Sequence, residues 1–190
     1  MSGVVVVNTT FITDNVKELL SKISDSKTIL IFSEKLFYAD VLSIRLIEYM
    51  LKENLKLKAI VYLDNGELDH LFLQLSGIEA NRIQLVRYVD LNTLFTQICR
   101  AYLVPEIYTD TIVLIPLTRI YTTTSGSLKS IMKIRPIVVE LVALLKRISN
   151  YSNLKSLITV HKGHVRVLKK YVDVCILAVD ETEFEVIRGG

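Results

Sequence analysis

Residues 27–46 read KTILIFSEKLFYADVLSIRL, and their reading decides the fold. Thr28 to Phe32 is an unbroken run of β-branched, leucine and aromatic residues of buried-strand length, and from Val41 onward Leu42, Ile44, Leu46, Ile47, Met50 and Leu51 recur at mostly helical spacing. A strand, a short polar crossing and a helix over residues 40–53 are therefore expected. A strand that feeds a helix through a tight loop is where nucleotide-binding α/β proteins hold phosphate, using glycines, free backbone N–H groups, a lysine and a metal-binding hydroxyl. The crossing here is Ser33, Glu34, Lys35, Leu36, Phe37, Tyr38, Ala39 and Asp40. It has the place of a phosphate loop without the chemistry.

Outward from this stretch the chain alternates strand and helix. Asp14 to Ile23 reads as a short amphipathic helix leading into the first strand, and Lys58 to Leu63 as a second strand ended by the Asn65-Gly66 turn signal. Glu67 to Leu75 suits a helix, Ile83 to Arg87 a third strand, and Asp90 is placed to cap a helix whose apolar face includes Leu91, Leu94, Phe95, Ile98 and Leu103. Thr111 to Ile115 makes a fourth strand. A polar stretch, Thr122 to Gly126, precedes a long helix from about Leu128 to Asn150 that Pro136 should kink or divide. Leu154 to Val160 is a fifth strand, followed by a basic loop or short helix over His161 to Lys170. Val174 to Val179 and Glu183 to Ile187 alternate around Asp180-Glu181-Thr182 and predict an antiparallel hairpin. Strands separated by helices imply a mainly parallel sheet covered on both faces, with any ligand site at the carboxyl ends of the strands. Val4 to Val7 suits a short strand or a segment that pairs with another chain's sheet edge.

Composition narrows the class. A chain of 190 residues fits one domain with a large core, here residues 1–190 with a short leading segment, 1–13. About half the residues are hydrophobic, yet no apolar run approaches the ~18 residues of a membrane helix. MSGVVVVNTTF lacks a cationic start and a long apolar run, so a cytoplasmic protein without membrane association is expected. Cys99 and Cys175 are isolated and read as buried reduced thiols.

At this level the chain resembles the core ATPase domain of the RecA/RadA recombinase superfamily, nearest to the small archaeal RadA paralogues of the RadB type and their KaiC-like relatives. The resemblance spans about Phe11 to Ile187 and rests on order and spacing more than on identity. Where members carry an aromatic residue followed by GPPGSGKTT, Phe32 falls on the aromatic position, Ala39 on the lysine and Asp40 on the hydroxyl residue. Tyr62-Leu63-Asp64-Asn65-Gly66-Glu67 resembles the run bearing the family's catalytic glutamate, with the glutamate displaced. Ile115-Pro116-Leu117-Thr118-Arg119-Ile120-Tyr121 stands where the Walker B strand ends and supplies no carboxylate. Leu157-Ile158-Thr159-Val160-His161 resembles the strand leading to the second DNA loop of recombinases, and Tyr171-Val172-Asp173-Val174 the segment before their final hairpin. The interchain Phe-x-x-Ala anchor is unmatched, because Phe11-Ile12-Thr13 is followed by Asp14. The resemblance implies a RecA-like three-layer fold, a mainly parallel β-sheet flanked by helices with a C-terminal antiparallel hairpin.

It also implies what has been lost. A hydrogen bond to a charged group contributes about 1.5 to 3 kcal/mol, and micromolar affinity amounts to roughly 8 kcal/mol. Loss of the lysine, the hydroxyl and the glycine-shaped nest together removes most of that. Asp40 is expected to cap the helix as a resident anion where phosphate would sit. An ordinary N-cap aspartate predicts the same local structure. No catalytic residue, cofactor or metal is expected, and the chain reads as a pseudo-ATPase. His161 and His164 lie close together, but no thiol or carboxylate pattern completes a zinc site. Ser125-Gly126-Ser127 suits a loop and N-cap better than a nucleophile.

Charge is the second informative feature. From Arg119 to Lys170 there are eleven lysines and arginines against the single acid Glu140, a net +10, while the rest of the chain carries twelve basic and nineteen acidic residues, a net −7. A run of charge alone is more often a solvated helix surface. In the family this region holds both DNA-facing loops, so the resemblance points to Lys162, Arg166, Lys169 and Lys170 in the second loop, with Arg119 and Lys129 flanking the first, as DNA contacts. Tyr121 and Tyr171 could stack on bases, although tyrosines beside strand ends more often serve packing. Two functional classes are left. One is an accessory or mediator in DNA recombination and repair, binding DNA, preferentially single-stranded, and a RadA-type recombinase or another paralogue without ATP hydrolysis. The other is a KaiC-like regulatory or scaffold subunit that exposes Leu36, Phe37 and Tyr38 as a protein interface and binds no DNA. Homo-oligomers fit either.

Overall fold

The computed structural model describes residues 9–63, 80–117, 128–180 and 183–188. Seven strands, β1 (Thr28–Ser33), β2 (Lys58–Leu63), β3 (Ile83–Arg87), β4 (Thr111–Pro116), β5 (Leu154–His161), β6 (Val174–Ala178) and β7 (Phe184–Arg188), form one sheet in the order β3-β2-β4-β5-β1-β6-β7. All neighbours run parallel except the β6–β7 hairpin, in which Val174 opposes Arg188 and Ala178 opposes Phe184. The mainly parallel sheet with its closing hairpin is the architecture expected from the sequence.

Alternation along the strands explains the layering. Leu30, Phe32, Val113, Ile115, Ile158 and Val160 join one apolar core with helices α3 (Leu91–Leu103), α4 (Leu128–Tyr151) and α5 (Val165–Leu168). Ile29, Ile31, Ile112, Leu114 and Leu157 point the other way, into a second core under α1 (Thr9–Lys22) and α2 (Leu36–Glu53). The interior strand β1 is buried along its whole length, which is why it reads as a continuous apolar run rather than an alternating one.

Several boundaries differ from the sequence reading. Helix α1 begins at Thr9, earlier than Asp14. Pro136 does not divide the long helix, which runs from Leu128 to Tyr151 with the proline inside it. The largest difference lies at the decisive crossing, where α2 starts at Leu36 and not at Asp40. The expected strand Val4–Val7, the Asn65-Gly66 turn, the helix Glu67–Leu75, the polar stretch Thr122–Gly126 and the residues Arg119, Tyr121 and Ser125-Gly126-Ser127 lie outside the described residues.

The amino-terminal end of the sheet is held by polar groups that answer one another. Asp173, just before β6, accepts hydrogen bonds from the backbone N–H groups of Lys27 (3.0 Å) and Thr28 (2.8 Å), and its other oxygen lies 3.3 Å from the Lys146 ammonium. One carboxylate thus locks the starts of two adjacent strands to α4. Arg82 donates to the carbonyl oxygens of Leu51, Asn54 and Leu57, at 2.7 to 3.1 Å, and so satisfies the carboxyl end of α2 and the turn after it. Asp110, at a left-handed φ of 52°, accepts from the Asn153 amide at 2.6 Å.

Candidate functional site at the carboxyl ends of the strands

In an open α/β sheet the ligand crevice opens where neighbouring strands send their connections to opposite faces. β1 and β5 meet that description. After β1 the chain turns into α2 on one face, and after β5 it crosses through α5 on the other. Ser33 and His161, the last residues of the two strands, are register partners, so the segments leaving them lie side by side at the mouth of the crevice.

The connection out of β1 is short. Glu34 and Lys35 alone separate the strand from α2. Lys35 occupies the N-cap position without a capping side chain, the Ser33 hydroxyl accepts from the Lys35 N–H at 3.2 Å, and the Tyr38 N–H already donates to the Lys35 carbonyl at 3.0 Å. Leu36 to Ala39 contain neither glycine nor a β-branched residue, and an early helical turn buries Ala39 completely on the stripe continued by Leu42, Leu46 and Met50. The eight-residue crossing expected from the sequence is mostly helix.

Asp40 therefore does not cap α2. It sits in the second turn, 4% exposed, and one carboxylate oxygen accepts a 2.8 Å hydrogen bond from the hydroxyl of Thr159, a fully buried residue near the end of β5. The Asp40 carbonyl accepts from Ser43 at 2.7 Å. The expectation of an N-cap carboxylate was wrong about the group it satisfies. Asp40 ties the helix to the neighbouring strand across the crevice, and the side chain that the resemblance aligns with a metal-binding hydroxyl is part of the protein's interior.

At the surface above this closed floor, the Lys162 ammonium meets the Glu34 carboxylate at 2.7 Å. That hydrogen bond and charge hold the Glu34 carboxyl below its ordinary range. The His161 ring accepts from the Gly163 N–H at 3.2 Å, which fixes the turn after β5, and lies edge-on to His164 with ring centres 6.4 Å apart. Burial, then the charges of His161 and Arg135, hold His164 below the usual imidazole range. On the α2 side, Phe37 is 50% exposed and packs edge-on to Tyr38, and the Lys35 ammonium lies over the Tyr38 ring, 5.5 Å from its centre.

The candidate DNA-contacting residues are not gathered in one loop. Lys162 begins a 3-10 turn at the carboxyl end, Arg166 lies on α5, and Lys169 and Lys170 occupy the turn that delivers the chain to the start of β6. The segment is thus a compact crossover running from the carboxyl to the amino end of the sheet, with all four side chains exposed. Its inner residues, Val165, Leu168 and Tyr171, pack on the core, so Tyr171 serves packing here. Lys129 lies in the first turn of α4, its side chain outside the described residues, as is Arg119 entirely. Tyr62, at the end of β2, is a core residue whose phenol is raised well above its ordinary range by burial and by Tyr108.

A cavity of about 400 Å³ lies at the opposite end of the sheet, between the carboxyl ends of α1 and α2, lined by Leu20, Tyr49, Met50, Asn153 and Lys155 among others. Burial lowers the titration of Lys155, and its ammonium donates to the Ser24 carbonyl at 3.1 Å. Cys175 is buried, its thiol pushed up to about 11, and Cys99 is half-buried; both are free. Among the described residues, no group of three or more histidine, cysteine or carboxylate side chains could hold a metal, and no helix is long and apolar enough to cross a membrane.

The sheet order, the two helical layers and the closing hairpin define an α/β fold of the RecA/KaiC type. A KaiC-like protein from the hyperthermophilic archaeon Pyrococcus horikoshii OT3 is similar in structure, with a TM-score of 0.60 at 10% sequence identity over 86% of this chain and 79% of that one. In sequence, no family model and no curated protein matches the chain.

Proposed function

We propose that this chain is a non-catalytic relative of RecA/RadA-type ATPases that binds nucleic acid, preferentially single-stranded DNA, at the carboxyl ends of β1 and β5 without binding or hydrolysing ATP. The observation that carries the reading is the helix α2 itself, which begins at Leu36 and inserts Ala39 and Asp40 into the core where the resemblance lays the phosphate-binding lysine and hydroxyl. A phosphate nest requires backbone N–H groups turned toward the ligand. Here the Tyr38 N–H is bonded to Lys35, and the buried carboxylate of Asp40 occupies the floor of the crevice. Both features support a crevice that does not cradle nucleotide phosphate.

Recognition of a polyanion is supported by the exposed cations of the crossover. Lys162 and Arg166, just beyond the end of β5, are solvent-facing, and Lys169 and Lys170, also exposed, extend the charge away from the crevice toward the start of β6. The Lys162–Glu34 pair is itself at the surface, where an ion pair contributes little, so Lys162 can exchange Glu34 for a phosphate with small loss. A RadA-type recombinase or another paralogue is the partner such an accessory protein would serve.

Fluorescence anisotropy of a labelled oligothymidylate at rising salt tests the reading. Binding should weaken as salt rises, with a log-log slope of about 0.7 per phosphate contact. Charge reversal at Lys162 and Arg166 should reduce both the affinity and that slope. No binding at physiological salt, together with a retained protein partner, would favour a scaffold subunit instead.

A further inference from the structure

The half-exposed ring of Phe37 stands at the mouth of the crevice, edge-on to Tyr38, with exposed charged residues close by. Glu34 and Lys35 lie three and two residues before it, Lys35 lies over the adjoining Tyr38 ring, and Lys162 reaches Glu34 from the end of β5. A protein-docking hot spot is ordinarily an aromatic anchor in a contiguous apolar patch. An aromatic face beside exposed cations is instead the arrangement that stacks an unpaired base while its phosphates are neutralised, and it tolerates any base because every base has a π-face. Tyr38 packs against the second core and Phe37 lies edge-on to it, which leaves half of the Phe37 ring open to solvent.

We infer that Phe37 is a base-stacking platform for single-stranded nucleic acid, with Lys35 and Lys162 contacting the phosphates on either side of the stacked nucleotide. The inference rests on the nucleic-acid reading above and adds to it the residue that distinguishes single strands from duplex, because a paired base offers no free face. It also gives the ion pair a role: Glu34 holds Lys162 at the crevice mouth in the free protein, and phosphate displaces it on binding.

The chain contains no tryptophan, so Phe37→Trp creates a sole indole reporter at the proposed contact. Titration of F37W with unlabelled oligothymidylate should quench its emission as the site fills, with affinity equal to wild type. Phe37→Ala should weaken single-strand binding about tenfold and leave the salt slope unchanged because no charge is lost, while the thermal midpoint falls only slightly because half of the ring is already exposed. Wild-type affinity in F37A, or unaltered F37W emission at saturation, would overturn the stacking role. If K162E/R166E lost binding in that same experiment, the nucleic-acid reading would survive without Phe37. A wild-type protein that binds no oligonucleotide would remove both.

Discussion

The two ends of this sheet use polar residues in opposite ways. At the amino end, Asp173 and Arg82 are bonded to backbone groups of several elements, and the polar side chains there act as clasps. At the carboxyl end the buried polar pair Asp40–Thr159 lies at the floor, while above it Glu34 pairs with Lys162, and Lys35 and Phe37 each lie against Tyr38, these four facing solvent. The difference teaches where to look for function. Polar groups that satisfy backbone hold the fold, and polar groups paired only at the surface can change partners.

Breaking the amino-end clasp should have the largest effect on stability. Asp173→Ala removes the acceptor of two backbone N–H groups and the Lys146 ion pair, and chemical denaturation should show a loss of about 2 to 3 kcal/mol, discounted for a side chain one-third exposed. Nucleic-acid binding by the folded fraction should be unchanged. The floor of the crevice comes next. Asp40→Ala leaves the buried Thr159 hydroxyl without this acceptor, at a cost of about 1 to 3 kcal/mol, whereas Asp40→Asn keeps an acceptor and should lose less. Equal losses in the two variants would deny the hydrogen bond its role.

At the carboxyl-end surface the expected effects are on binding rather than stability. Glu34→Gln should leave the denaturation midpoint unmoved and tighten oligonucleotide binding several-fold, with a salt slope larger by about 0.7, because Lys162 is released and a repelling charge is gone. Weaker binding in E34Q would show that the carboxylate positions Lys162 productively instead of competing for it. The smallest effect is on pH dependence. Since burial holds His164 below the ordinary value of 6.5, the unfolded chain takes up a proton first on acidification, so its contribution to stability is present above about pH 6.5 and is lost as pH falls through the lower folded value. His164→Leu should flatten the stability profile over that interval.

The strands are legible in the sequence because their burial is written into composition. Lys58–Leu63 and Ile83–Arg87 have the bounds their apolar runs predict, and the Asp90 cap is present, accepting from the Thr93 N–H at 2.7 Å. The start of α2 is not legible, because its N-cap is Lys35 without any capping side chain, while Asp40, a residue type that favours caps, sits one turn inside. The Thr159 hydroxyl is a partner that explains a carboxylate there, and it is 119 residues away in sequence. The same holds for Glu34 and Lys162, brought together by the Ser33–His161 register. Asp173 and Arg82 carry no local signal, since what they bond is backbone from distant segments. Pro136 predicts a break by its intrinsic preference, yet α4 continues through it.

Calorimetry of the purified chain with Mg-ATP is the most direct measurement of whether α2 has replaced the nucleotide. The account predicts no saturable heat at millimolar nucleotide, with oligonucleotide affinity identical in its presence and absence. Micromolar binding competed by ADP would contradict it.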